Sequence, residues 1–234
     1  GVFVTLAGFG LALMVVAALA LPETMPPARR RPVGLRPTLR TYADLMRDRT
    51  FLGLAGVSAL VFGSLFAYVS GSSFVFQEQY GLNEQQFGLA FGAGAAGLIG
   101  GTQFNAWLLR RYRSQAILVT ALLIGAVAGL VLLGLAATGV GGMAAMLAAL
   151  WVILTATGFA MPNAPALAMS RHGAAAGTAA ALVGAAQFGM GALAAPVVGL
   201  FGADGVAMAA VIAGSLGAAA VLMLLISGRT RFDA

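Results

Sequence analysis

The sequence has no cysteine, a single histidine (His172), and charged side chains on only 9% of its 234 residues. Without cysteine the chain can form neither a disulfide framework nor a Cys/His zinc site, and it has no cysteine nucleophile. No cluster of His, Asp and Glu lies within its apolar segments, so we expect no catalytic residue, no metal site and no cofactor. An enzyme is therefore the least favoured class of function.

Apolar residues, in contrast, make up 60% of the chain, whereas a soluble domain is about 45–50% apolar and about 25% charged. A buried soluble bundle would leave too little polar surface to face water. A helix of about 20 apolar residues spans the hydrocarbon core and satisfies its own backbone, so we predict an all-α integral membrane protein with seven transmembrane helices. The seven stretches are residues 1–21, 51–76, 87–109, 115–137, 143–164, 177–200 and 206–226.

All of the chain's positive charges are arginines, and its net charge is +6. They lie in alternate connections, whereas the other connections carry Glu78, Glu84 and Asp204 and no arginine. By the positive-inside rule the arginine-bearing segments and the C-terminus are cytoplasmic, and anionic lipid headgroups explain the basicity without nucleic acid. The arginines are Arg29, Arg30, Arg31, Arg36, Arg40, Arg47, Arg49, Arg110, Arg111, Arg113, Arg171, Arg229 and Arg231.

Four regions follow from this pattern. Residues 1–21 are predicted to be the last helix of an N-terminal half, 22–50 a cytoplasmic Arg-rich linker, 51–227 a six-helix C-terminal bundle and 228–234 a cytoplasmic tail. In the linker, the helical spacing of Leu39, Tyr42, Leu45 and Met46 predicts an interfacial amphipathic helix. A plain solvated linker, kept inside by its charge, is equally compatible. Because an apolar run begins at Gly1, we expect a longer protein whose N-terminal helices are missing here.

Several local sequences resemble one transporter family. They are Leu21-Pro22-Glu23-Thr24, residues 66–76 (FAYVSGSSFVF) continuing into 80–91, Phe104-Asn105 followed by Arg110, Arg111 and Arg113, Pro162-Asn163-Ala164, and residues 176–188 (AGTAAALVGAAQF). In this order and spacing the chain resembles helices six to twelve of the bicyclomycin/chloramphenicol-resistance (Bcr/CflA) drug:proton antiporters of the major facilitator superfamily. One departure is Ser73, where that family commonly has a proline, so the bend or gate that the proline creates is in question.

The resemblance implies a part of a multidrug efflux transporter in the bacterial cytoplasmic (inner) membrane. Its partners would be small amphipathic drug-like substrates, protons, the lipid bilayer and the N-terminal helices of the same protein. Two pseudo-symmetric halves would rock about a central cavity. A major facilitator carrier of another small metabolite, or a non-transporting membrane remnant of a truncated gene, stays open as an alternative.

Polar and aromatic side chains within the spans are the candidates for a substrate cavity, because polar groups at membrane depth usually face a cavity or another helix. Ser64, Tyr68 and Ser72 share one face of the second span. The bland alternative is that the hydroxyl groups bond their own helix and that the aromatic rings pack helices. The predicted cavity residues are Ser64, Tyr68, Ser72, Phe74, Gln77, Trp151, Thr155, Met161, Asn163 and Gln187.

Arg110, Arg111 and Arg113 resemble the second copy of the superfamily's basic loop motif, which implies a role in closing the cytoplasmic side. Simple anchoring by positive charge explains them as well. His172 is expected to be a solvated loop residue rather than a proton relay. Because every acid lies at a span end or in a loop, we expect the carboxylate that couples transport to protons in the missing N-terminal half, with Glu78 as the fallback.

Small residues four or seven positions apart let membrane helices approach closely. The sequence has such glycines in the third, fourth and sixth spans, and we expect them to serve helix packing. They are Gly88, Gly92, Gly97, Gly101, Gly125, Gly129, Gly177, Gly184 and Gly191.

Overall fold

A computed structural model describes residues 1–20, 35–202 and 204–228, and these ranges contain helices and no strand. This confirms the predicted all-α class. A π-helical turn (Phe74–Gln79) extends α3, and a short 3₁₀ turn (Gly173–Ala175) precedes α7. The helices are α1 (Val2–Ala20), α2 (Leu35–Arg47), α3 (Arg49–Ser73), α4 (Glu84–Leu108), α5 (Ser114–Thr138), α6 (Gly142–Ser170), α7 (Ala176–Leu200) and α8 (Gly205–Ser227).

Six of the described helices are long and apolar enough to cross a membrane: α1, α3 with its π-helical extension, α5, α6, α7 and α8. The remaining predicted span, the third along the chain, forms α4. This helix has 25 residues but is not among the six. Its first turn contains Glu84, Gln85 and Gln86, and Gln103 and Asn105 lie near its other end. These polar residues and six glycines lower its hydropathy, although its length matches that of its neighbours.

The chain divides into two units between Arg40 and Thr41. The first contains α1, which is apolar on all sides, as a lipid-facing span requires. Residues 22–34 of the predicted linker and 229–234 of the predicted tail, with Arg29, Arg30, Arg31, Arg229 and Arg231, lie outside the described residues. The predicted amphipathic helix corresponds to α2, which continues into the second unit. There Leu45 is buried against the bundle core while Met46 remains exposed.

In the second unit, α3 and α6 pack against each other at the centre of the bundle. Helix α3 also packs against α7 and α8, and α6 against α4 and α5, while α5 reaches α8. The core between them is built from large, fully buried side chains such as Phe51, Leu54, Leu150, Ile153 and Ile212. The faces turned away from this core remain apolar and exposed, which suits a lipid surrounding.

Short polar residues set where three helices begin. Asn83 and Gln86 form a reciprocal capping box at α4, with bonds of 2.9 and 3.1 Å. The Asp204 carboxylate accepts a hydrogen bond from the Ala207 amide at the start of α8, at 2.7 Å. Asp48 does the same at the start of α3, where its carboxylate accepts from the Thr50 and Phe51 amides.

The closest helix contact joins α4 to α6 through glycines. A side-chain carbon at Gly101 would clash with the backbone carbonyl of Thr155, and one at Gly158 with that of Leu98. The Thr102 hydroxyl donates across the same contact to the Gly158 carbonyl, at 3.1 Å. The predicted packing role is therefore confirmed for Gly101.

Other glycines of the predicted set divide into two groups. Gly97 meets the side chains of Thr155 and Trp151, Gly125 and Gly129 pack against α8, and Gly191 packs against Phe66. The packing prediction is wrong in this structure for the remaining four, since a side-chain carbon on them would meet no described atom within 4 Å. These are Gly88, Gly92, Gly177 and Gly184.

Contacts between the connections give the bundle two chemically different ends. At the basic end lie the start of α3, the α4–α5 loop and the α6–α7 connection, which carry Arg47, Arg49, Arg110, Arg111, Arg113 and Arg171. At the acidic end Gln79 accepts a hydrogen bond from the Gly205 amide, and the Tyr80 hydroxyl donates to the Met146 sulfur. Glu78, Glu84 and Asp204 lie in the connections of that end.

The loop position of His172 predicts a solvated side chain, but the structure shows that this side chain has two specific contacts. Its Nε2 atom lies 3.0 Å from the Asp48 carboxylate, and its ring packs edge-on against Phe51. Burial alone would raise the pKa of Asp48, but the hydrogen bonds from the Phe51 and Thr50 amides and from His172 outweigh it and lower that pKa. The start of α3 is thereby tied to the α6–α7 connection.

We expect Gly101→Ala to lower the free energy of unfolding by about 1–3 kcal/mol, because the added methyl group must push apart two helix backbones. The matched control is Gly100→Ala on the same helix, where no described atom lies within 4 Å of the added carbon. Alanine has the higher helix propensity, so this control should be neutral or stabilising. Thermal unfolding in detergent measures both; equal effects of the two changes would contradict the α4–α6 contact.

Asp48→Ala should destabilise the protein by about 1 kcal/mol at neutral pH, because α3 loses its N-terminal cap. A carboxyl group whose pKa is lowered on folding stabilises the folded state at pH values above its pKa in the unfolded chain, which is near 3.8. This stabilisation is lost as the pH falls through the pKa of the group in the folded protein. The difference between parent and variant should therefore shrink below pH 3.8 in thermal unfolding experiments. Asp48→Asn, which keeps a cap, is the control, and a difference that persists undiminished into strong acid would argue against the cap.

Candidate functional site

A small cavity lies where α3, α4 and α6 meet, and two of the predicted cavity residues line it. Tyr68 of α3 is buried and stacks on Phe91 of α4, with ring centroids 5.4 Å apart. Trp151 of α6 lines the same cavity and is 49% exposed, so one side of its ring is open. The cavity has a volume of about 70 Å³, and Leu147, Leu150 and Leu154 make most of its α6 wall apolar.

The glycines of α4 make room for the polar tips of these aromatic side chains. A side-chain carbon at Gly94 would lie 2.8 Å from the Tyr68 hydroxyl, and one at Gly97 would lie 3.1 Å from the Trp151 Nε1 atom. Thr155 is also close to Gly97, and its hydroxyl donates to the Trp151 carbonyl at 2.8 Å. The cavity therefore combines apolar walls with the hydroxyl of Tyr68 and the indole of Trp151, as ligand sites commonly do.

Ser64 and Ser72 lie on α3 on the same side as Tyr68, but they are buried within the helix packing. The Ser64 hydroxyl donates to the Val61 carbonyl at 2.7 Å, and the Ser72 hydroxyl to the Val69 carbonyl at 3.4 Å. Hydroxyl groups satisfied in this way cost little at membrane depth. Neither serine lines the cavity of Tyr68 and Trp151.

Phe74 and Gln77 lie on the π-helical turn that extends α3. Phe74 is exposed, and the Gln77 amide donates to the Ser73 hydroxyl at 2.9 Å. The turn begins directly after Ser73, so the helix is irregular at the position where the resembling family has a proline, although no proline is present here. Such π-turns often mark functional positions in helices.

Asn163 belongs to a buried polar network at the basic end. Its amide donates to the Asn105 side chain at 2.6 Å and to the Phe159 carbonyl at 2.8 Å, and its oxygen accepts from the Ser114 hydroxyl at 2.6 Å. Asn105 and Asn163 are both buried. The network joins the end of α4, the start of α5 and the second half of α6, and Met161 packs nearby along α6, half-buried against the core.

Gln187 connects the other side of the bundle. Its amide donates to the Ser58 hydroxyl at 2.8 Å, which joins α7 to α3. Beside this bond, Met190 of α7 fills the space over Gly63 of α3. In this structure Gln187 is part of a helix contact and does not line the Tyr68–Trp151 cavity.

The three arginines of the basic motif are exposed in the loop between α4 and α5. The Arg111 guanidinium lies 5.3 Å from the ring centre of Trp107, which stacks on Phe104. Among the described residues, none of the three forms an ion pair with a carboxylate. Their predicted role in closing the cytoplasmic side stays a prediction.

Sequence reasoning missed several contributors to these sites, among them Phe91, Leu154 and Ser58. In the sequence, Phe91 and Leu154 cannot be distinguished from ordinary packing residues. Only the glycines of α4 indicate where aromatic rings have room. Ser58 has no signal in the sequence, because its pairing with Gln187 depends on how α3 and α7 meet. In the described ranges, no group of three His, Cys, Asp or Glu residues could hold a metal ion.

Comparison with known proteins identifies the family. The family model of the Major Facilitator Superfamily matches residues 1–196. The chain is 30% identical over 187 residues to an uncharacterised MFS-type transporter, YdgK, of Bacillus subtilis, covering 78% of this chain and 45% of that protein. It is 28% identical over 197 residues to the bicyclomycin resistance protein homolog of Haemophilus influenzae, covering 81% of this chain and 48% of that protein.

The chain thus spans about half the length of the curated relatives that it matches. The second relative agrees with the Bcr/CflA resemblance seen in the local sequences. With six candidate membrane spans among its described helices, the chain belongs to the Major Facilitator Superfamily of multi-pass membrane transporters.

Proposed function

We propose that this chain is part of a drug exporter and forms one wall of its substrate cavity. The observation that carries the proposal is the cavity between α3, α4 and α6, in which Tyr68 and Trp151 meet apolar walls. Aromatic rings bind lipophilic ligands by stacking and do not require one pattern of hydrogen bonds, which suits loosely specified substrates. The name of the Haemophilus influenzae relative supports this substrate class.

The size of the cavity fits a role as part of a larger site. At about 70 Å³ it is smaller than the roughly 300–1,000 Å³ of a typical ligand pocket. The relatives are about twice as long as the matched region, so in the whole protein a second half would face this one across the binding site. The open side of Trp151 is then the surface that contacts substrate.

We further propose that export is driven by protons through a carboxylate outside this chain. The described acids are Asp44, Asp48, Glu78, Glu84 and Asp204, and all lie on α2 or at the ends of the other helices. A proton-coupling group needs a titratable side chain at membrane depth. We propose that the protein lies in the bacterial inner membrane and that its basic end faces the cytoplasm. We also propose that it has no enzymatic activity.

The first test measures drug export by the protein as its gene encodes it, in an efflux-deficient bacterial strain challenged with bicyclomycin or chloramphenicol. Trp151→Ala should lower resistance and export roughly two- to tenfold, because a ring contact contributes about 0.5–1.5 kcal/mol. Tyr68→Phe, which keeps the ring and removes the hydroxyl, should have the smaller effect. The control is Val152→Ala, the next residue of α6, which does not line the cavity. No export by the parent protein, or equal losses in Trp151→Ala and Val152→Ala, would contradict the proposal.

The second test concerns protons. A protonophore should abolish export by the parent protein, and Glu78→Gln, Glu84→Gln and Asp204→Asn should each leave its pH dependence unchanged. Proteoliposomes with an imposed pH gradient measure this directly. If Glu78→Gln alone uncoupled export from the gradient, the coupling carboxylate would lie within this chain and the proposal would be wrong.

A further inference from the structure

A second apolar cavity lies beside the basic loop, away from the cavity of Tyr68 and Trp151. It is a groove of about 390 Å³ between the end of α4 and the first half of α5, to which α6 contributes the half-buried ring of Phe159. Leu108 forms its α4 side and Ile117 part of its α5 side. The two cavities share no lining residue, so the groove is a separate feature of the bundle.

The groove runs along a helix in the direction that a lipid tail takes in a bilayer. Ala116, Thr120 and Ile124 line it at intervals of four positions and are exposed on one face of α5. Eight residues of helix correspond to about 12 Å of length. Apart from Thr120, the α5 side chains that line the groove are apolar. Such a wall matches an extended acyl chain in shape and polarity.

The loop at one end of the groove is strongly cationic. Tyr112, which lines the groove, lies between Arg111 and Arg113, and all three arginines of the loop are exposed. Glu84, at the opposite end of α4, is the one carboxylate on the described helices α4 to α7, so none of these helices offsets the charge at this end. The Arg111 guanidinium lies over the ring of Trp107 near the end of α4, and indole rings at helix ends are typical of the region where headgroups meet the hydrocarbon core.

A neighbouring groove shows what is distinctive about this one. It has a volume of about 670 Å³, meets the first groove at Ile124, and continues along α5 and α6 toward the acidic end. Its walls are alanine, valine, leucine and isoleucine side chains, and neither groove has a charged residue in its wall. Of these two grooves, the one beside the basic loop differs in that a wall residue, Tyr112, lies between Arg111 and Arg113 in the sequence.

We propose that this groove binds an anionic phospholipid, with one acyl chain along α5 and its phosphate held by Arg110, Arg111 and Arg113. Arginine binds phosphate oxygens through paired, charge-assisted hydrogen bonds, and basic pockets between membrane helices select anionic headgroups. The inference needs only that the bundle lies in a membrane. It does not depend on drug export.

The charges at the site argue for an anionic lipid over a cationic drug. The loop would repel a positively charged amphiphile, whereas it attracts a phosphate carrying a net negative charge. A zwitterionic lipid could place its tail in the groove but would gain less from the three arginines. Selectivity for negative headgroups is therefore the property that distinguishes this site.

The test titrates the purified protein, as its gene encodes it, with dioleoylphosphatidylglycerol or dioleoylphosphatidylcholine and counts bound lipids by native mass spectrometry. The parent should bind phosphatidylglycerol more tightly than phosphatidylcholine. Changing Arg110, Arg111 and Arg113 together to Gln should reduce that preference roughly tenfold or more, since each basic residue near an anionic headgroup strengthens binding severalfold. The control changes Arg47, Arg49 and Arg171 to Gln, which removes the same charge from other parts of the basic end.

A second pair of variants tests the tail. Ala116→Trp fills the groove without changing charge and should weaken phosphatidylglycerol binding, whereas Ala148→Trp in the neighbouring groove should not reduce the preference. Thermal unfolding confirms that each variant is folded. The proposal is overturned if both arginine triples lose the preference equally, if Ala116→Trp has no effect, or if tetraphenylphosphonium displaces the lipid, which would make the groove a substrate site. Equal binding of both lipids by the parent, as expected if another segment of the protein covers the groove, would also overturn it.

Discussion

The backbone contact between α4 and α6 is the constraint on which the rest of this bundle depends. Gly101 and Gly158 bring the two helices so close that neither position has room for a methyl group. Lipid tails are as apolar as leucine, so helices in a membrane gain little from burying apolar surface and must associate through close packing and hydrogen bonds. At this contact the Thr102 hydroxyl also donates a hydrogen bond to the Gly158 carbonyl, so close packing and hydrogen bonding act together.

The Tyr68–Trp151 cavity and the groove beside the basic loop both follow from this close approach. Toward the acidic end, the glycine face of α4 continues through Gly97 and Gly94, and the space left there is occupied by Trp151 and Tyr68. Toward the basic end, α4 passes into its loop, and the groove opens between it and α5 over Phe159. Asn163 holds that end together, because its amide bonds Asn105 on α4 while its oxygen accepts from Ser114 on α5. A single contact thus separates a site facing the bundle interior from one suited to the surrounding lipid.

Most of the fold could be predicted from the sequence, because transmembrane helices are encoded locally by length and hydropathy. The helix at residues 84–108 was predicted although it is too polar to be recognised as a span by composition alone. The site was harder to predict, since helical spacing shows which residues share a face but not what that face meets. Ser64, Tyr68 and Ser72 share a face of α3, yet only Tyr68 reaches the cavity. Gly88 and Gly97 have the same chemistry, and only Gly97 meets another helix, which depends on how the helices cross.

His172 illustrates the same limit at the surface. A lone histidine in a connection has no periodic pattern that would reveal a partner, and its Asp48 lies 124 positions away in the sequence. Asp48 is recognisable as a helix cap because that interaction is local. Its contact with His172 is not recognisable in the sequence. The pair joins the first helix of the bundle to the connection between α6 and α7, so a specific contact holds the basic end together. Charge in this protein is therefore visible at two levels: its distribution along the chain separates a basic end of the bundle from an acidic end, and the pairing of His172 with Asp48 joins two elements of the basic end.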